Sequence, residues 1–511
     1  MSQNNKDPKR EAEGGTSNRS ADLSGSQFGR RRFLQAGGTG LIGLGASGLA
    51  GFPQGSVSAK PLPLDNTGGS AKSVIIVFLY GAPSQMDTLD PKPNALSDRR
   101  SPFKPISTSL PGITATELLP NTAKNLHRVA LVRSMTHSSN NHAVSVALSG
   151  LSKSEPAIEA NGADPRHQPY FGSVLEYLWE QQGISFNSTG IPVNMVLPWP
   201  LNNRTDPGRW QHHAAWLGKS YNPVLPVFSG KGSLEKGAPT IGGLSRFDPW
   251  DGMTPKSTFR FPGADLPDDI GAPRFSGRKK LLEQLELKRG QFGPAGKLFE
   301  QYRNLAFSTI TNPKVARALD VTREPNRVRE KFGYTLFGQS LLTARRLAEV
   351  GVKVTTVFWD TWVNNNAAWD THTNHHPRLK DGLCPQFDQI FPALLDDLQE
   401  RGMLDDTLVM VISEHGRTPK ITTTQPGGAR EHWSGAYWGM FFGSGIKTGQ
   451  VIGATDREGG YPVERPIDPK DILATAYHLL GFDAHKTTIP GLLDEPVRLL
   501  PHGEVVQELL S

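Results

Sequence analysis

The sequence predicts an α/β fold with a mostly parallel central sheet that helices cover on both faces. A continuous apolar run occupies residues 74–80, and such runs are typical of strands buried on both faces of a parallel sheet. From residue 335 onward, helical and buried-strand patterns alternate, as they do in βαβ units. A length of 511 residues is enough for one large domain with insertions, or for two domains.

Residues 1–59 are predicted to be a twin-arginine export leader. Three consecutive arginines begin at Arg30, a Gly/Ala/Leu stretch follows, and small residues precede Lys60 at the positions that a signal peptidase reads. The stretch is too polar and too rich in glycine for a membrane span, and no later segment could span a bilayer. We therefore expect a periplasmic or secreted protein that starts near Lys60 and forms a single domain over 60–511. The alternative is a disordered basic tail on a cytosolic protein.

Charge and cysteine content exclude several classes of function. The net charge is +6, but the leader holds seven basic and four acidic residues, which is half of the excess. The remainder has no basic stripe interleaved with aromatic residues, so no nucleic-acid partner is expected. Cys384 is the single cysteine, which excludes an internal disulfide and a thiolate zinc cage. Cys384 itself is expected to be a small buried side chain.

Two predicted strands in the first part of the chain are each followed by polar residues. The strand 74–80 ends in a sharp turn that begins at Gly81, and a short strand follows at 129–132. Residues just past strand ends line the ligand crevice in open α/β sheets. The candidates are therefore Ser84, Gln85, Asp87 and Asp90 after the first strand, and Ser134, Thr136, His137, Ser138, Ser139, Asn140 and His142 after the second.

The middle of the chain is less regular than its ends. Residues 151–275 are rich in Pro, Gly, Asn and Trp, which predicts a loop-rich insertion or a cap over the crevice. Leucines at helical spacing predict helices over 277–289 and roughly 293–320.

The C-terminal part shows the clearest alternation of elements. A helix that ends at Gly351 is followed at once by a strand, and a later helix that ends at Gly402 also leads to a strand. Asp468-Pro469 predicts the start of a last long helix, with Asp at the N-cap and Pro in the first turn. The predicted elements are a helix over about 336–347, a strand at 352–358, a helix at 385–402, and strands at 408–412 and 437–442.

Histidines and carboxylates cluster after the C-terminal strands. Five of the fourteen histidines lie between residues 372 and 432. Asp370 and His372 come after one strand, Glu414 and His415 after the next, and His432 follows a Gly-rich loop. Such side chains would converge at one edge of a parallel sheet, and neutral imidazole and carboxylate suit zinc or manganese. The alternative is that they cap helices and stabilise turns.

Five sequence blocks resemble the family named domain of unknown function 1501. They run in order within about residues 70 to 485. The blocks are GAPSQMDTLDPKP (81–93), FGQSLL (337–342) running into ARRL (344–347), WDTH (369–372), EHGRTPK (414–420) and REHW (430–433).

That family is in turn similar to the alkaline-phosphatase and sulfatase superfamily. The resemblance implies an alkaline-phosphatase-like three-layer fold with a metal site at the C-terminal edge of the sheet. It implies that Asp370 and His372 bind one metal, and that Glu414, with His415 or His432, binds another. In that superfamily, paired aspartates usually follow the first strand directly, and the resemblance implies a metal ligand in this region. Asp87, several residues further along, is the candidate ligand.

The resemblance also implies a nucleophile on the loop before residues 147–150, which are similar to the end of the nucleophile helix in sulfatases. Counting back puts Asn140 near the nucleophile position, with Ser138, Ser139 and His142 beside it. The Cys-x-Pro-x-Arg type motif of sulfatases is absent there. The predicted contacts with an anionic substrate are Arg417 and Lys420, joined by Ser84 and Gln85.

Two hypotheses for function follow. The first is a metal-dependent hydrolase of phosphate or sulfate esters on a small molecule or polysaccharide, which the histidines and carboxylates favour. The second is a catalytically degenerate member that binds an extracellular polymer or takes part in an assembly, which the missing nucleophile motif favours. The oligomeric state is not predicted.

Overall fold

The computed structural model describes residues 68–159, 164–199, 214–230, 254–261, 313–360, 368–424 and 426–511, with a few isolated residues between these ranges. The export leader lies outside the described residues, so its assignment stays a prediction.

A seven-stranded sheet forms the centre of the described chain, in the order β7-β2-β6-β5-β1-β4-β3. The antiparallel pairings in it are those of β6 with β5 and with β2. The predicted sheet is therefore confirmed as mostly parallel. The strands are β1 (Ser73–Leu79), β2 (Ala130–Met135), β3 (Asn194–Leu197), β4 (Val354–Trp359), β5 (Thr407–Ile412), β6 (Tyr437–Gly443) and β7 (Gln450–Ile452).

Strand β1 shows why the sheet is covered on both faces. All seven of its residues are buried. Because strand side chains alternate between faces, Ile75 and Val77 pack into one hydrophobic core while Ile76 and Phe78 pack into the other. A strand with two buried faces must be apolar throughout, which is why its sequence is a continuous run and not an alternation.

The longer helices form one layer on each face of the sheet. Helices α3 (Pro313–Leu319), α4 (Leu336–Glu349) and α5 (Cys384–Glu400) contribute to the core of one face. Helices α1 (Val144–Ser149), α2 (Phe171–Gln181) and α6 (Pro469–Leu479) contribute to the core of the other. The three-layer α/β architecture is thus confirmed.

Shorter elements connect these layers. The short helices are Pro120–Asn125, Pro156–Glu159, Phe186–Thr189, Asn326–Lys331 and His375–Arg378, and a π-helical turn, Leu379–Leu383, leads into α5. Two-stranded ribbons pair Pro105–Ser107 with Thr114–Thr116, Val227–Ser229 with Thr258–Arg260, Ser233–Leu234 with Phe247–Asp248, Gly416–Arg417 with His432–Trp433, Ala454–Thr455 with Pro462–Glu464, and Thr488–Pro490 with Pro496–Arg498.

The C-terminal elements agree with the sequence prediction to within a few residues. Asp468 caps α6 as predicted: its Oδ1 accepts a hydrogen bond from the Lys470 amide at 3.1 Å, and its own amide donates to Asp471 Oδ2 at 3.1 Å. Cys384 is buried, also as predicted.

The segment 151–275 contributes more to the fold than the sequence indicated. Helix α2 and strand β3 both lie within it, and β3 pairs in parallel with β4 at the edge of the sheet. Strand β3 has only four residues between two prolines, which is too short for a clear period. A cap formed by the rest of this segment stays a prediction. The sequence also predicted helices at 277–289 and 293–320, and most of these two ranges lies outside the described residues. The end of the second predicted helix is described, and it forms α3.

Within the described part of the chain, no helix is both long enough and apolar enough to cross a bilayer.

Candidate metal centre

One edge of the sheet gathers the polar residues that follow its strands. Strands β1, β4 and β5 run parallel, so their carboxyl ends lie at the same edge. Because β6 is antiparallel, the residues just before it lie at that edge as well. The side chains of His142, Asp370, His372, Glu414, His415 and His432 meet there, and we call these six residues the histidine–carboxylate site.

Asp370 contacts three of the histidines. Its Oδ1 lies 2.9 Å from His372 Nε2 and 3.2 Å from His432 Nε2, and its Oδ2 lies 3.3 Å from His142 Nε2. The Nε2 atoms of His372 and His432 are only 3.0 Å apart. Two imidazole nitrogens this close to each other and to a carboxylate need either a shared proton or a shared cation.

Glu414 and His415 supply two buried atoms without a partner among the described residues. Glu414 Oε1 accepts a hydrogen bond from the Gly81 amide at 2.8 Å and lies 2.9 Å from His142 Nδ1, but Glu414 Oε2 is unpaired. His415 Nδ1 lies 2.8 Å from the Gly416 carbonyl and so carries the proton. The buried Nε2 then has a free lone pair and no partner among the described residues. Buried polar atoms of this kind call for an explanation, and a bound cation is one.

The ligand atoms are spaced as a metal site requires. Those of His142, His415 and His432 lie within 4.8 Å of one another, and so do those of Asp370, His372 and His432. His432 belongs to both groups. The nitrogen and oxygen donors therefore fit a divalent transition-metal ion.

The electrostatics of the site keep several ligands in the form that binds a metal. Burial lowers the pKa of His415 and of His432, and nearby cationic groups lower both further, so these imidazoles are neutral. Burial would raise the pKa of Asp370, but Arg417 and the adjacent histidines hold it well below its usual range. Burial would lower the pKa of His142, yet its hydrogen bonds to Asp370 and Glu414 raise it to about 9. In the metal-free protein a proton on His142 thus occupies the place between the two carboxylates.

The turn after β1 is shaped to contact this site. Gly81 has φ of +84°, and a Cβ atom there would lie 2.3 Å from both the Cβ and the amide nitrogen of Asp370. Arg417 joins the two segments, since its Nη2 donates to the Gly81 carbonyl and to Asp370 Oδ1. Glycine at this position lets the carboxylate approach the backbone.

A second group of titratable residues lies beside the site, and we call Asp87, His375, His376 and Arg430 the Asp87 cluster. Asp87 Oδ2 accepts hydrogen bonds from Arg430 Nε at 2.6 Å, Ser84 Oγ at 2.6 Å and His375 Nε2 at 2.9 Å. The ligand atoms of Asp87, His375 and His376 also lie within 4.8 Å of one another. Burial would raise the pKa of Asp87, but Arg430 and His375 hold it well below its usual range.

The predicted metal ligands separate into these two groups. Asp370, His372, Glu414, His415 and His432 come together in the histidine–carboxylate site, as the sequence indicated. Asp87 does not join them, because its carboxylate is paired with Arg430 and hydrogen-bonded to Ser84.

The predicted substrate contacts differ in their burial. Arg417 is fully buried, and it donates to the carbonyls of Gly81, Ala82 and Arg430 and to Asp370. Ser84 and Gln85 are buried, and both side chains make hydrogen bonds within the protein. These three side chains are thus held by contacts within the protein, whereas Lys420 is exposed, and substrate binding by any of them stays a prediction.

The predicted nucleophile loop delivers a histidine to the site. His142 lies within the site, while the Ser139 hydroxyl accepts from the Ser154 amide at 2.9 Å and Asn140 Oδ1 accepts from the Ser434 amide at 2.9 Å. Ser138 is exposed. The sequence assigned His142 beside the nucleophile, and the structure places its ring between the carboxylates of Asp370 and Glu414.

Three further residues support the site, and of these only His137 was among the candidates that the sequence offered. His137 Nδ1 accepts from the Ser139 amide at 3.1 Å, so its Nε2 donates to the Glu414 carbonyl at 2.6 Å. The others are Arg430 and His375 of the Asp87 cluster. Arg430 and His375 lie beside predicted ligands in the sequence, but their role depends on a partner, Asp87, that is remote along the chain.

Several solved structures are similar to this chain at low sequence identity. A sulfatase from Pseudoalteromonas sp. is 11% identical, with 87% of this chain and 73% of that chain covered and a TM-score of 0.37. A phosphonate monoester hydrolase from Silicibacter pomeroyi is 14% identical, with 86% and 76% covered and a TM-score of 0.32. The zinc complex of the C-terminal periplasmic domain of EcEptC from Escherichia coli is 10% identical, with 88% and 99% covered and a TM-score of 0.32.

No curated protein matches the sequence. Residues 71–510, however, match a family described as a protein of unknown function, DUF1501. The match covers nearly all of the described chain and includes both clusters. The chain belongs to the DUF1501 family.

Proposed function

We propose that this protein is a divalent-metal-dependent hydrolase of phosphate or sulfate esters. The observation that carries the proposal is that Glu414 Oε2 and His415 Nε2 have no partner among the described residues, although both are buried beside further imidazole and carboxylate groups. Zinc or manganese suits such a set of nitrogen and oxygen donors. When bound, such an ion supplies Lewis-acid polarisation of an ester oxygen.

The proposed ligands would bind the metal from two sides. Asp370, His372 and His432 form one side, and His142 and His415 with Glu414 form the other. Arg417 orients Asp370, while the Gly81 amide and His142 hold Glu414 Oε1. Ligands held by such surrounding hydrogen bonds do not have to be reorganised when a metal binds.

The exposure of the ligands gives the direction of approach. The side chains of His372 and His432 are 29% and 21% exposed, whereas that of Glu414 is fully buried. A substrate would therefore reach the site past His372 and His432. We infer an anionic substrate because a metal ion and imidazole N–H groups favour negative charge on that side, and an extracytoplasmic location because of the predicted leader.

A second candidate is binding without turnover. One observation favours it: Ser139 and Asn140, on the loop expected to supply a nucleophile, are bonded to the Ser154 and Ser434 amides. In that case the site would hold a metal and an anionic ligand, and no ester bond would be cleaved.

Metal content and ester hydrolysis, measured on the same samples, test the proposal. Protein purified without chelators is assayed for zinc and manganese by mass spectrometry, and then for hydrolysis of p-nitrophenyl phosphate and sulfate. We expect bound metal and turnover in the wild type, and loss of both in His432→Ala, with a rate reduced more than about a hundredfold.

The matched control is His127→Ala, which removes an exposed histidine. It should keep full metal content and rate. Metal binding without hydrolysis of any ester would favour the binding protein, and a wild type without metal would refute both candidates.

A further inference from the structure

Thr371 connects the two clusters. It lies between Asp370 and His372 in the chain, is fully buried, and its hydroxyl is 2.6 Å from His375 Nδ1. Asp370 and His372 both belong to the histidine–carboxylate site. Any shift of Thr371 would therefore move two of the proposed ligands together.

His375 transmits this contact to Asp87. Its Nε2 lies 2.9 Å from Asp87 Oδ2, and both residues are fully buried. Because an ionised carboxylate only accepts hydrogen bonds, His375 Nε2 carries the proton. Its Nδ1 is then an acceptor and takes the hydroxyl proton of Thr371. The Trp369 carbonyl, 3.3 Å from the Thr371 hydroxyl, is a second and more distant acceptor.

Arg430 fixes the far end of the series. Its Nε and Nη2 donate to the two Asp87 oxygens at 2.6 Å and 3.3 Å, and its other N–H groups donate to the carbonyls of Arg99, Thr418 and Pro419. All five donors of the guanidinium are thus used. Arg430 is followed by Glu431 and His432, and the latter is a third proposed ligand.

The backbone around the series is also tied down. The amides of Asn374, His375 and His376 donate to the carbonyls of residues 426–428 at 3.0 to 3.1 Å. Gly427 has φ of +71°, and a Cβ atom there would lie 2.9 Å from Pro377. The turn after His372 and the loop before Arg430 therefore hold each other in place.

The same contacts argue against a second metal ion in the Asp87 cluster. Arg430 already neutralises the carboxylate, and the protonated Nε2 of His375 cannot bind a cation. His376 Nε2 is buried without a partner among the described residues, but it is 4.0 Å from Asp87 Oδ1. One free nitrogen beside a guanidinium does not make a cation site.

We propose that Arg430, Asp87, His375 and Thr371 form a positioning relay that holds Asp370 and His372 in the geometry that binds the metal. The inference rests on the proposed metal site and adds the residues that control its affinity. The relay joins the segment 370–372 to the segment 430–432, so it sets the distance between ligands that come from different loops.

A pair of substitutions at Thr371 tests the relay. Thr371→Val keeps the shape of the side chain and removes the hydroxyl, whereas Thr371→Ser keeps the hydroxyl. We expect Thr371→Val to weaken zinc affinity about 10- to 100-fold, as loss of a group that orients a ligand does, and Thr371→Ser to restore most of it. Affinity is measured by competition with a chromophoric chelator, and the visible spectrum of the cobalt-substituted protein reports ligand geometry independently of activity.

His376→Asn is the matched control, since it alters the neighbouring imidazole outside the relay. It should keep the zinc affinity and stoichiometry of the wild type. Thermal unfolding of each metal-free variant establishes that it is folded. Wild-type affinity in Thr371→Val overturns the relay alone. Loss of one metal equivalent in His376→Asn shows that the Asp87 cluster binds metal and also overturns the relay. A wild type that binds neither zinc nor manganese overturns the proposed function as well.

Discussion

The histidine–carboxylate site and the Asp87 cluster both combine histidine and carboxylate side chains and adjoin one another, yet their hydrogen bonding differs. In the Asp87 cluster the carboxylate is paired with a guanidinium that uses all five donors. In the histidine–carboxylate site, Glu414 Oε2 and His415 Nε2 are buried and unpaired among the described residues. A set of histidines and carboxylates is therefore not by itself a metal site, because what matters is which lone pairs the protein leaves free.

The largest expected effect comes from removing the ion pair in the Asp87 cluster. Arg430→Met leaves the Asp87 carboxylate buried without its counter-charge, which should lower the free energy of unfolding by about 3–5 kcal/mol. Urea unfolding measures the change. Arg465→Met is the control, since Arg465 pairs with Glu508 at the surface and should cost at most about 1 kcal/mol. Similar losses in both variants would contradict the assigned difference between the two ion pairs.

Acid should weaken the same cluster. Burial lowers the pKa of His375 to about 4 from an ordinary value of 6.5, despite its bond to Asp87. Between these values the unfolded chain binds a proton that the folded chain excludes, so this stabilisation is complete above pH 6.5 and is lost as pH falls to about 4. The loss should be about 3 kcal/mol.

His375→Gln cannot titrate in this range and provides the comparison. In chelator-treated protein, the difference in unfolding free energy between wild type and His375→Gln should shrink as pH falls from 6.5 toward 4. A constant difference across this range would show that His375 is not a neutral buried imidazole.

An intermediate effect is expected from a substitution next to the histidine–carboxylate site. Gly81→Ala combines a left-handed backbone with a Cβ atom that would lie 2.3 Å from Asp370. It should lower the free energy of unfolding by more than the roughly 1–2 kcal/mol of the backbone strain, and it should also reduce zinc affinity. At Gly112, φ is +77°, and no described atom lies within 4 Å of a Cβ atom added there. Gly112→Ala therefore measures the cost of the backbone strain alone. Equal stability and affinity in the two variants would contradict the close approach.

The smallest expected effect concerns a predicted substrate contact. Lys420 is exposed, so Lys420→Ala should change the free energy of unfolding by less than about 0.5 kcal/mol and leave zinc affinity unchanged. Arg417→Met, which removes the partner of Asp370, should impair both. A large loss of stability or affinity in Lys420→Ala would require a contact that the geometry lacks.

The sequence was sufficient to predict the elements with a strong local signal. β1 is apolar from Val74 to Leu79 because both its faces are buried, and Asp468-Pro469 marks the start of α6 through its cap. Strand β3 was missed because four residues show no period. The antiparallel direction of β6 was also missed, since strand direction depends on pairing and not on the composition of the strand.

The candidate site shows the same division. Asp370, Glu414 and His432 could be predicted because each lies in a segment that follows or precedes a strand at one edge of the sheet. The structural roles of Arg417 and Asp87 could not, because they depend on partners far away in the chain: Gly81 for Arg417 and Arg430 for Asp87. Spacing along the chain identifies residues that can bind a metal, while the pairing of buried charges decides which of them are available.

Anomalous diffraction at the zinc absorption edge, from crystals grown with zinc, tests the difference between the two clusters most directly. The account predicts strong density among the six residues of the histidine–carboxylate site, including Glu414 and His415, and none beside Asp87. Zinc between Asp87 and His376, or no zinc at either cluster, would contradict it.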